Sequence, residues 1–116
     1  MAGVVHIPWY ATVFRGDRLA EAVSEVAAAS IRYGATQYRV HRSLDDKYRI
    51  TQMVWFETRL DWLRYWEGTE MVDFRANWMG RYQIPVLYVW HEEIAQDVIV
   101  PAQPAVAPAP AETSAV

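Results

Sequence analysis

The hydrophobic pattern of this chain switches between a two-residue and a helical period, and the order of the switches leaves few folds open. Residues 4–14 alternate, with Val5, Ile7, Trp9, Ala11 and Val13 on one side and His6, Tyr10, Thr12 and Phe14 on the other. Residues 18–33 place Leu19, Val23, Val26 and Ala27 on one stripe, as an amphipathic helix does, and Gly34 stands where a helix C-terminus needs a left-handed residue. Residues 36–44 and 48–58 alternate again around the polar turn Asp45-Asp46-Lys47, the pattern of a β-hairpin. Residues 59–80 return to helical spacing, with Thr58 placed as N-cap ahead of Asp61 and Gly68 interrupting the run. Residues 81–91 alternate once more, and Pro85 restricts that strand to a sheet edge or a bulge.

The predicted order is β-α-β-β-α-β, a ferredoxin-like α+β arrangement with a four-stranded antiparallel sheet and two helices on one face. Strand parity puts Val5, Ile7, Trp9, Val13, Tyr38, Val40, Ile50, Val54, Phe56, Ile84 and Val86 under the helices. In the second helix the apolar stripe is expected to run through Leu60, Leu63, Trp66, Met71, Phe74 and Trp78. Asp17 is expected to cap the first helix. The open face then carries His6, Tyr10, Phe14, Arg39, His41, Arg49, Met53, Trp55, Gln83, Leu87 and His91. So large an aromatic patch calls for a second subunit, with Phe14, Arg39, Met53, Trp55, Gln83 and Leu87 as interface residues.

The domain is expected to occupy residues 1–95. Residues 96–116 are rich in proline and alanine, without periodicity, and are expected to form an extended tail. A net charge of −3 argues against a nucleic-acid partner held by clustered cations. The absence of cysteine removes thiolate chemistry and disulfides. No apolar run is long enough for a membrane span, and the N-terminus lacks a basic leader, so the expected product is a soluble chain made in the cytosol. Arg15-Gly16-Asp17 spells an adhesion tripeptide, but a turn before a helix accounts for it. His91-Glu92-Glu93 suits a solvated strand end better than a metal site, and no metal or other cofactor is expected.

Over residues 4–94 the chain resembles the dimeric α+β barrel superfamily, in particular the antibiotic-biosynthesis-monooxygenase-like domains. The resemblance rests on one βαββαβ unit, a second helix with an early Trp, and the closing run Gly80-Arg81-Tyr82-Gln83-Ile84-Pro85-Val86-Leu87-Tyr88. It implies that two sheets pair face to face around a ligand cavity. The haem-degrading branch needs an Asn on the first strand and a His on the second helix. This chain has His6, Tyr10 and Thr12 on the relevant strand face and no His on that helix, which disfavours haem. For a cofactor-independent oxygenase the resemblance nominates His6, Tyr10, His41, Trp66 and Asn77, with a histidine as base. Glycine-rich phosphate loops, Gly-x-Ser-x-Gly elbows and His-Glu-x-x-His runs are absent.

Two functions emerge, the first read from the residues and the second implied by the resemblance. One is a non-catalytic assembly protein, self-associating through its open face and docking its Pro/Ala tail on other subunits of a particle such as a virion. The other is a monooxygenase-like or small-ligand-binding enzyme. The missing catalytic signatures make the first the expected function, and the resemblance keeps the second as its alternative.

Overall fold

A computed structural model describes residues 1–100 of the chain. In chain order it contains β1 (Gly3–Tyr10), α1 (Gly16–Ala28), a 3-10 turn (Ala29–Tyr33), β2 (Ala35–Arg42), β3 (Arg49–Phe56), α2 (Arg59–Trp66), α3 (Thr69–Trp78) and β4 (Val89–His91). The sheet order is β2-β3-β1-β4 with every pairing antiparallel. This is the expected ferredoxin-like α+β architecture, with the second helix split into α2 and α3.

The local signals act as the sequence implies. Gly34 closes the first helical segment at φ 94°. The Thr58 side chain accepts from the Asp61 amide at 3.1 Å and starts α2. Gly68 separates α2 from α3, and it also lets Tyr33 approach: a Cβ at position 68 would stand 2.4 Å from that ring. Glu70, in the first turn of α3, binds both the Tyr33 hydroxyl and Arg32, tying the 3-10 turn to the helix. Asp17, by contrast, does not cap α1. The N-cap position is Arg15, without a side-chain cap, and Asp17 pairs with Arg42 instead.

The core lies between the sheet and the helices. Val5, Ile7, Trp9, Ile50, Val54 and Phe56 are buried at the expected parity, joined by Leu19, Val23 and Val26 from α1. In α2 the buried stripe is Trp62, Tyr65 and Trp66, whereas Leu60 and Leu63 are exposed. Area decides this: burying a large aromatic side chain is worth on the order of 4–6 kcal/mol, against about 1.5–3 for a leucine. The helix therefore turns its rings inward. Val13, Tyr38 and Ile84 are also exposed rather than covered, because β1 ends at Tyr10, β2 lies at an edge, and residue 84 falls outside any strand.

The closing strand is shorter than its alternation suggests. Val89–His91 pairs with Val4–His6, and an isolated bridge joins Ala11 to Tyr82. From Val5 to Ala11 the first strand advances six residues, while the returning chain uses eight from Tyr82 to Trp90. Pro8 and Pro85 each lack the N–H a ladder needs, and after the Gln83 amide donates to the Tyr10 carbonyl, residues 84–88 make no ladder pairing with β1. Val86 and Tyr88 still pack inward on the core. Residues 92–100 have no regular structure and are exposed. The remainder of the expected tail, from residue 101, lies outside the described residues.

Candidate functional site

Two places bring unusual side chains together, one on each side of the sheet. The first lies inside, around Trp66. Its ring meets Trp62 at 5.3 Å, Tyr88 at 4.9 Å and Trp9 at 6.3 Å between centroids. The Arg75 guanidinium lies 4.1 Å above it and donates to the Trp66 carbonyl. Phe74 and Tyr82 pack edge-on against Trp9, each at 5.1 Å. Two donors in this aromatic wall, Trp62 Nε1 and Arg75 Nε, are buried without an acceptor among the described residues. A buried donor without a partner costs about 1–3 kcal/mol, so the pair marks a place where acceptor atoms belong.

A closed polar chain lies next to this wall. Trp9 Nε1 donates to Gln52 Oε1 at 3.0 Å, Gln52 Nε2 donates to the Tyr65 hydroxyl at 2.8 Å, and that hydroxyl donates to the Val26 carbonyl at 2.5 Å. Burial raises the Tyr65 hydroxyl well above its usual pKa, so it stays protonated and serves as a fixed link rather than a base. The chain joins β1, β3, α2 and α1 and holds the aromatic wall in register.

The second place is the open face. Its cross-strand rows are His91–Val4–Trp55–Gln37, Val89–His6–Met53–Arg39, Pro8–Thr51–His41 and Tyr10–Arg49. The His6 and His91 rings are 4.2 Å apart, and burial followed by the His91 charge holds His6 below its ordinary pKa. At the far end, the Tyr10 hydroxyl donates to Asp46 at 2.5 Å with the Arg49 guanidinium 5.5 Å from the Tyr10 ring. That hydrogen bond, with one from the Tyr48 amide, keeps the Asp46 carboxyl below the usual carboxylate range. Arg39 lies over Trp55, whose indole donates to Glu93.

The oxygenase candidates are divided among three places. His6, Tyr10 and His41 lie on the open face, and Trp66 lies on the opposite side of the sheet, 9% exposed within its aromatic cluster. Asn77 is exposed in a groove of about 380 Å³ between α1 and α3, beside Glu25, Asp73 and Trp78. Among the described residues the sheet separates Trp66 from His6 and Tyr10, and Asn77 lines a groove that includes none of the three. Of the interface candidates, Arg39, Met53 and Trp55 sit in the rows above. Gln83 and Leu87 line a cleft at the β1 end with Pro8, Tyr10, Arg49 and Pro85. Phe14 lies beyond the end of β1, 89% exposed, and is not part of the face.

Trp62, Arg75, Gln52 and Tyr65 were not among the sequence candidates. Gln52 had a legible signal: it shares the parity of Ile50, Val54 and Phe56, and a polar residue at a core position needs partners. Arg75 follows Met71 by four residues, which puts a charge on the buried stripe of α3.

Solved structures share this fold. A candidate antibiotic biosynthesis monooxygenase from Nitrosomonas europaea matches with a TM-score of 0.73 at 19% identity, over 80% of this chain and 90% of its own. A protein from Mycobacterium tuberculosis matches with 0.72 at 11% identity, over 84% and 100%. A candidate antibiotic biosynthesis monooxygenase from Deinococcus radiodurans matches with 0.71 at 12% identity, over 86% and 99%. The chain thus has the α+β fold of antibiotic biosynthesis monooxygenase-like structures, the one its sequence resemblance implied. No family model and no curated protein matches the sequence.

Proposed function

We propose that this domain binds a small aromatic molecule bearing an acidic hydroxyl, as an oxygenase-like protein that works as a dimer closed across its open sheet face. The observation that carries this reading is that two buried donors without an acceptor, Trp62 Nε1 and Arg75 Nε, belong to residues that both pack against the Trp66 ring. An aromatic ring suits the wall, and its oxygen atoms suit the donors. A guanidinium fixed in an apolar surrounding also stabilises a phenolate, the electron-rich form that such chemistry requires.

Entry requires movement of residues 84–88, which make no ladder pairing and set Tyr88 against Trp62 and Trp66. A proton acceptor is missing from this wall among the residues named, and His6, whose lowered pKa keeps it neutral near pH 7, is on the other side of the sheet. The reading therefore places binding and anion stabilisation inside, and leaves His6, Tyr10 and His41 to the subunit contact. Among the described residues no helix is long and apolar enough to cross a membrane. The assembly reading rests on the aromatic open face, the missing catalytic signatures and the Pro/Ala tail; the open face fits a dimer as well, and the tail from residue 101 lies outside the described residues.

The test is titration with an anthrone, a polycyclic phenol tautomer, followed by tryptophan fluorescence and oxygen uptake. Wild type is expected to bind it, and Trp62→Phe, which keeps a ring and loses the donor, to bind about tenfold more weakly. Equal affinity in both, or no quenching in wild type, rejects the interior site.

A further inference from the structure

A second cleft, on the rim of the domain, is built from a different chemistry. It measures about 590 Å³ and is lined by Val13, Phe14, Arg15, Arg18, Trp78 and Arg81. Small-molecule sites typically span about 300–1,000 Å³. The lining holds three guanidinium groups and no carboxylate, in a chain whose net charge is −3. Arg32, Arg42 and Arg64 form ion pairs, whereas Arg15, Arg18 and Arg81 have no carboxylate partner among the described residues. Arg15 is held by the Thr12 hydroxyl and the Val13 carbonyl, and Arg81 lies 5.4 Å from the Trp78 ring. Beyond Arg18 and Trp78 the lining turns acidic, at Glu21 and Glu25.

The frame of the cleft is cross-linked through the backbone. The Thr12 amide donates to the Arg81 carbonyl at 3.1 Å and the Gln83 amide to the Tyr10 carbonyl at 2.8 Å, so the loop after β1 and the loop after α3 are joined. Phe14 adopts a left-handed backbone at φ 65°, unfavourable for a residue with a bulky side chain, and its ring is left almost wholly in solvent. Trp78 is anchored from behind by Phe74, 6.2 Å away, which in turn packs on Trp9.

We propose that this cleft binds a small aromatic polyanion, its ring against Trp78 and Phe14 and its charged groups on Arg15, Arg18 and Arg81. Guanidinium groups bind phosphate and carboxylate in a bidentate fork, and the indole and phenyl faces supply stacking area. The phosphate and carboxylate forms share this chemistry, and the experiment separates them.

The full chain is titrated calorimetrically at low salt with ADP, benzene-1,3,5-tricarboxylate, adenosine and inorganic pyrophosphate. At least one of the first two is expected to bind with a Kd below about 100 µM and at least tenfold tighter than both adenosine and pyrophosphate. Preference for ADP assigns the phosphate form, and preference for the tricarboxylate assigns the carboxylate form. Arg18→Gln and Arg81→Gln are each expected to weaken binding at least fivefold with an unchanged thermal midpoint. Pyrophosphate binding as tightly as ADP, or all four ligands binding more weakly than about 1 mM, overturns the proposal. So does full affinity in both arginine variants. Neither arginine touches the aromatic wall around Trp66, so anthrone binding there is read separately in the same variants.

Discussion

The two faces of the sheet are made by alternate residues of the same strands, yet they are finished in different ways. Under the helices, Val5, Ile7, Trp9, Ile50, Gln52, Val54 and Phe56 are all essentially removed from solvent. The polar atoms of Trp9, Gln52 and Tyr65 on that side are joined in one chain. On the open side, His6, Met53 and Trp55 are half-buried and Arg39, His41 and Arg49 exposed. There the charges rest on neighbouring rings rather than inside a closed network. One face is complete within a single chain, so its residues determine stability. The other is left half-finished among the described residues, and under the proposed dimer its residues determine association.

Gln52→Ala is the strongest way to break that contrast. It removes a fully buried side chain, leaves the Trp9 indole without an acceptor, and takes a donor from the Tyr65 hydroxyl. The expected loss is about 3 kcal/mol, combining the cavity and the orphaned donor. Urea denaturation measures it. A loss below about 1 kcal/mol would mean that the buried chain of hydrogen bonds contributes little. The aromatic wall depends on the same chain, so anthrone binding should weaken in this variant even where it stays folded.

How much of this could be read from the sequence follows the same division. Strand parity located the covered face because burial repeats every second residue, and Gly34, Thr58 and Gly68 marked breaks through backbone conformation and capping, which are local. Where local signals competed, the pattern misled. Leu60 and Leu63 have helical spacing equal to that of Trp62 and Tyr65, and only the larger area of the rings settles which set turns inward. Residues 81–91 alternate throughout, but Pro8 on the facing strand is a non-local partner that no window around Pro85 contains. Asp17 has the right residue type for a cap, yet Arg42, twenty-five residues away, takes its carboxylate. The open face was located correctly in Arg39, Met53 and Trp55, while Phe14 was lost because β1 stops four residues before it.

Met53→Arg tests the open face. Met53 sits between His6 and Arg39 in the middle of its row, so a guanidinium there adds like charge to any surface paired across it. In a dimer closed by this face, the substitution is expected to raise the dissociation constant by a hundredfold or more, about 3 kcal/mol. The urea midpoint of the separated monomer should change little, since the residue is outside the core. Sedimentation velocity over a concentration series reads this directly. A wild type that stays monomeric at high concentration removes the pairing altogether.

The smallest expected effect concerns His6 and His91, and its sign follows from linkage. Burial, reinforced by the His91 charge, holds His6 below its ordinary 6.5 in the folded chain. The unfolded chain therefore binds the proton first as pH falls. Stability is complete above about pH 6.5 and declines as pH drops through the window between that value and the lower folded one. Asp46 and Glu70 do not confuse this window: both are held below ordinary values of 3.8 and 4.5, so their stabilisation is lost only at more acid pH. Between pH 7.5 and 5.5 the thermal midpoint should fall by at most a few degrees, since both rings are partly solvated. His91→Gln removes the second cause and should shrink the fall, and His6→Gln should remove most of it. If the open faces pair, the fall should be larger at concentrations where they do, because pairing takes the His6 imidazole further from water. A fall of equal size in wild type and His6→Gln would assign the acid sensitivity to groups away from this row.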